Sequence, residues 1–93
     1  MNTNVATVDR ESSAITHSAM KVDRLMALAF FPGRPPRSLA YQEGCRAALE
    51  HRIQGKRMHV VYAAGTCEAD AWFAGVDEGH CIGRKLYDTV QDH

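Results

Sequence analysis

The chain has 93 residues, 45% hydrophobic and 24% charged, and its acidic and basic side chains balance to a formal net charge of zero. That length holds one domain with a modest core and excludes two ordinary ones. The composition excludes a wholly disordered chain, and neutrality removes self-repulsion, so association with a second copy, a homodimer, is compatible with it.

Residues 1–16 are polar and rich in Ser, Thr and Asn, and read as a flexible N-terminal arm preceding a single small domain over 17–93. Over 17–31, Val22, Leu25, Met26, Ala29 and Phe30 follow a helix-like spacing, which leaves a short helix or an extended apolar segment open. Pro32-Gly33-Arg34-Pro35-Pro36 ends that element as a rigid connector, because prolines fix the backbone and remove amide donors. Ser38 is an N-cap, and Tyr41, Cys45, Ala48, Leu49 and Ile53 recur at three- and four-residue intervals, predicting an amphipathic helix over Ser38–Gln54 with Gly55 closing it. Met58–Ala64, with Val60, Val61 and Tyr62, favours an extended crossing segment for which no strand partner is visible. Thr66 caps a second helix over Cys67–His80, marked by Ala69, Trp72, Phe73 and Val76. The expected fold is mainly α: a small helical domain built on an antiparallel helix pair, with a short extended segment between the helices.

Both helices carry a line of small residues, Ala40, Gly44 and Ala47/Ala48 on the first and Ala71, Gly75 and Gly79 on the second. Glycine inside a helix costs about 1 kcal/mol relative to alanine, and close backbone approach between the two helices is the simplest compensation. Cys45 falls among the apolar positions and reads as a core thiol. The three cysteines form no disulfide framework, and the polar start of the chain is not a secretory signal, so the expected compartment is the cytoplasm. The apolar run 25–31 is too short to span a bilayer, so no membrane partner is expected.

No Cys-x-x-Cys, His-x-x-x-His or His-Glu-x-x-His spacing occurs, and no glycine-rich phosphate loop follows a strand. Catalysis, a metal and a cofactor are therefore not expected; a cysteine–His80–Asp77 arrangement, the alternative, has no local spacing that assembles it. The leading functional expectation is a small non-catalytic interaction or regulatory protein that binds a protein partner or itself, with Tyr62, Trp72 and Phe73 as aromatic contact residues. The alternative is RNA or ribosome binding by the basic 34–59 region. There Arg34, Arg37, Arg52, Lys56 and Arg57 would meet phosphates and Tyr41 would stack on a base, whereas 66–80 holds four acidic residues and no lysine or arginine.

Tyr41-Gln42-Glu43-Gly44, then Ala47-Ala48, Tyr62, Trp72-Phe73-Ala74-Gly75 and Glu78-Gly79 together resemble the ribosome modulation factor family over about residues 38–80. The resemblance implies a small helical protein that binds ribosomes in stationary-phase hibernation, with Tyr41, Gly44, Tyr62, Trp72 and Gly75 as fold-determining residues. The chain departs from the family's pattern in its acidic second helix, in a longer stretch between Tyr41 and Trp72, and in Val61 where a proline precedes the linker tyrosine.

Overall fold

A computed structural model describes residues 19–88 of the chain, so the expected arm over 1–16 lies outside the described residues. Helix α1 covers 19–29, helix α2 covers Leu39–Gln54 and helix α3 covers Cys67–Ile82, running directly into a π-helical turn at Gly83–Asp88. No strand forms among the described residues; 55–66 is an irregular connector that bends at Tyr62 and turns at 64–65. The two main helices begin where the caps were expected. Ser38 Oγ accepts from the Tyr41 amide at 3.2 Å and Thr66 Oγ1 accepts from the Ala69 amide at 3.1 Å. Gly55 takes a left-handed conformation (φ 71°), and the Gly55 and Lys56 amides turn back onto the His51 and Glu50 carbonyls, which satisfies the last carbonyls of α2. The second helix runs beyond its expected end at His80, because Gly83 keeps right-handed helical angles (φ −58°, ψ −46°) and does not break the chain.

Helix α2 lies at the centre. On one side α1 returns along it antiparallel: Phe30 meets the Tyr41 ring edge-on, and Asp23 pairs with Arg46 at 2.8 Å. Val22, Cys45 and Leu49 are fully buried between them, with Leu25, Met26, Phe30, Ile53 and Ile82 around this cluster. On the other side Ala48, Trp72 and Val76 form a second cluster, covered by Ala47, Met58 and Tyr62.

The contact between α2 and α3 is a backbone contact. A Cβ built on Gly44 would sit 1.9 Å from the Trp72 carbonyl oxygen, and one built on Gly75 would sit 1.9 Å from that of Tyr41. Each glycine thus faces the carbonyl three residues before the glycine opposite, the geometry in which Cα–H···O contacts contribute. A Cβ on Gly79 would lie 2.5 Å from the Cys45 carbonyl oxygen and 2.7 Å from the Ala48 Cβ.

The direction of the pair corrects the antiparallel expectation. Along α2, Cys45 meets Gly75 and Gly79, Ala48 meets Gly79, and Arg52 meets His80 and Gly83, so residue numbers climb together on the two helices and α3 runs with α2. The connector makes this feasible. Helix α2 has 16 residues and is about 24 Å long, a distance an extended chain recovers in about eight residues. Residues 55–66 do this: Met58 packs in the Ala48 cluster, and the Tyr62 hydroxyl donates to Glu43 near the start of α2.

Substitution at these glycines separates packing from propensity. Gly75→Ala relieves about 1 kcal/mol of helix propensity, yet its methyl group meets immovable backbone. Net destabilisation of about 3 kcal/mol or more is expected in a urea titration. Gly83→Ala meets only the side chain of Arg52, at 2.6 Å, and should leave the unfolding midpoint nearly unchanged.

Candidate nucleic-acid interface

The aromatic and basic residues singled out in the sequence separate into three places. Trp72 is 4% exposed and sits in the α2–α3 core, so as a contact residue for a partner it is a correction; its size and apolar face serve packing. Its neighbour Phe73 stands edge-on to it and is 52% exposed. Tyr62 is half-buried, its hydroxyl given to Glu43, and that hydrogen bond is the main cause that raises its pKa.

Arg34 and Tyr41 also lie away from a free basic surface. Both guanidinium ends of Arg34 donate to Glu78 at 2.8 Å, Nη1 donates to the Ala29 carbonyl at 2.6 Å, and the group lies over the Phe30 ring. The Tyr41 hydroxyl donates to Glu78 Oε1 at 2.5 Å. One carboxylate on α3 therefore gathers the end of α1, the proline-rich connector and the start of α2. The paired Arg34 donors hold the Glu78 carboxyl below its ordinary range, while burial is the first cause that raises Tyr41. Arg37 remains exposed, with its guanidinium over the Tyr41 ring.

The other three candidates, Arg52, Lys56 and Arg57, stand at the far end of α2. Because α3 is parallel, its own C-terminal residues arrive at the same end. Arg52 Nη1 is 3.2 Å from His80 Nδ1, and the charges of Arg52, His51 and Arg84 all disfavour protonation of His80. The His51 ring donates from Nδ1 to the Lys56 carbonyl at 2.9 Å, and Lys56 reaches Glu50 only at 4.0 Å. Lys56, Arg57, Arg84 and Lys85 are exposed. Sequence reasoning found Arg52, Lys56 and Arg57 of this cluster; it missed His51, His80, Arg84 and Lys85. The legible signal was the spacing of His80 and Arg84, one helical turn apart.

The opposite end is acidic. Glu43 and Glu68 both act on the Tyr62 hydroxyl, and exposed Asp70 follows in the first turn of α3. Zero net charge thus hides a local separation, with Glu43, Glu68 and Asp70 near one end of the pair and Arg52, Lys56, Arg57, Arg84 and Lys85 near the other. Elsewhere, Cys45 is a buried thiol whose pKa burial pushes up to about 12, and Cys67 is exposed. Among the described residues, no group of three or more His, Cys, Asp or Glu side chains converges in a way that could hold a metal ion. Among the same residues, no helix is long and apolar enough to cross a membrane. Comparisons of the chain with family models, curated proteins and solved structures found no match.

Two of these groups set the acid response. His80 is lowered from 6.5, first by burial and then by Arg52, and Glu78 is lowered from 4.5, first by Arg34. In both cases the unfolded chain binds the proton more readily. Stability is therefore complete above the unfolded value and declines as pH falls through the folded one. Unfolding free energy followed against pH should fall first below about 6.5 and again below about 4.5. His80→Gln should flatten the first decline and Glu78→Gln should reduce the second.

Proposed function

We propose that this chain is a small non-catalytic factor that binds a macromolecular partner, that the partner is RNA, and that the ribosome is its setting. The observation that carries this reading is the meeting of the α2 and α3 C-termini, which gathers Arg52, Lys56, Arg57, Arg84 and Lys85 with His51 and His80 at one end. A phosphate backbone is held by clustered cations whose positions need little sequence information. The acidic residues of α3 that oppose RNA binding in a bulk charge count include Glu68 and Asp70 at the other end, and Glu78, which is already engaged by Arg34. The resemblance to ribosome modulation factors supports the same partner class.

Phosphate contact makes a quantitative claim. Binding of the full chain to ribosomes, or to a ribosomal RNA fragment, should weaken linearly in log salt, each phosphate contact adding about 0.7 to the slope for single-stranded RNA. Replacing exposed Lys56, Arg57 and Lys85 together by glutamine should lower that slope by about 2 and weaken binding at every salt concentration. The pair Glu68→Gln and Asp70→Asn, at the acidic end, should not weaken it. Unchanged affinity in the triple variant would reject the cationic end as the RNA surface.

A further inference from the structure

The cationic end holds one side chain whose charge is not fixed. His80 is half-buried near the last turn of α3 and is faced by Arg52 and His51 from α2, by Arg84 one turn further on, and by Asp77 one turn before it. A guanidinium donates hydrogen bonds and accepts none. With Arg52 Nη1 at 3.2 Å, His80 Nδ1 is therefore the acceptor, the imidazole is neutral and its proton sits on Nε2. A neutral ring is the state that relieves repulsion where several cations converge. Gly83 completes the arrangement: a side chain there would collide with the Arg52 Cδ and Nε at 2.6 Å, so its absence is what seats the guanidinium against α3.

We propose that the Arg52–His80 pair is a proton-linked binding site for an RNA phosphodiester. The inference rests on the RNA reading above and names where on that surface the phosphate sits. An anion between Arg52, His80 and Arg84 reverses the local field. His80 then takes a proton from solvent at Nδ1, and the Arg52–His80 hydrogen bond is exchanged for donations from both side chains to the phosphate oxygens. Asp77 opposes the anion and favours the protonated ring, and His51 adds a second, more exposed cation-capable group whose Nδ1 is already committed to the Lys56 carbonyl. By linkage, proton uptake on binding and tighter binding at lower pH are one effect seen from two sides. Uptake of one proton makes affinity fall by up to about tenfold per pH unit through the titration of His80.

The test is calorimetric titration of the full chain with a short single-stranded RNA between about pH 5 and 8, in buffers of different ionisation enthalpy. The His80 titration midpoint is followed by NMR with RNA, with sulfate, and with neither; sulfate does not titrate in that range. Proton uptake on RNA binding, a midpoint raised by RNA and by sulfate, and loss of the pH slope in His80→Asn support the proposal. Asparagine keeps an acceptor for Arg52 but cannot take the proton. His51→Gln should retain the slope. RNA binding without proton uptake, or a slope kept by His80→Asn, would overturn the inference while leaving the RNA reading intact. A midpoint raised by sulfate with no RNA binding would support the proton-linked anion site and remove RNA as its ligand. A His80 midpoint unmoved by either anion in the wild-type chain overturns the site whether or not the variant folds.

Discussion

With no side chain at Gly44 and Gly75, the backbone of α3 rests on the backbone of α2, and most of the architecture follows from that approach. Each glycine sits over a carbonyl three residues before its counterpart, so the contact is reciprocal and defines one register. Interior glycines give up about 1 kcal/mol each in helix propensity. The return is a seam in which small residues let dispersion contacts and Cα–H···O pairs form along both backbones. Such a seam tolerates no small error: an added methyl group meets main chain, which cannot rotate aside. It also leaves the large side chains to close the flanks. Trp72 and Val76 fill one side with Ala48, and Cys45 and Leu49 turn away from the seam to meet Val22 on α1.

Parallel packing has an electrostatic consequence. Two helices running together place both positive dipole ends at one pole and both negative ends at the other, which is less favourable than an antiparallel pair. The charged residues answer it: Glu68 and Asp70 stand in the first turn of α3, and His51, Arg52 and His80 stand in the last turns of the two helices. Much of the charge separation is therefore explained by the fold itself. Lys56 and Arg57 follow the end of α2, and Arg84 and Lys85 stand in the π-helical turn that continues α3. Their gathering at one end, which the parallel course of α3 produces, is what gives that end its functional interest.

What could be read in the sequence was local. Ser38, Thr66 and Gly55 announce helix ends through hydrogen bonds made within a few residues, and the apolar spacing marks the buried faces. The small-residue lines correctly pointed to a close α2–α3 contact, with Cys45 and Ala48 joining Gly44 on one side of it. Direction was not legible, because a stripe of small residues looks the same whichever way its partner runs. The physical clue was the length of 55–66, enough to carry the chain back along α2. The same cause hid the α3 side of the candidate site: in an antiparallel pair Arg84 and Arg52 would lie at opposite ends, and only the parallel arrangement unites them. Arg34 was misplaced for a different reason. Its partner Glu78 is forty-four residues away in the chain, and nothing short of the tertiary fold reveals that its charge is already answered.

The residues that carry the family resemblance and those that carry the proposed site are different sets. Gly44, Gly75 and Trp72 form the helix contact, Tyr41 holds Glu78, and Tyr62 ties the returning connector to Glu43. All five serve to fix α3 parallel to α2, and none lies at the cationic end. The choice of partner is argued chiefly from the cations that the scaffold brings together. Here they meet around His80, and the parallel course of α3 is what brings that ring within reach of Arg52.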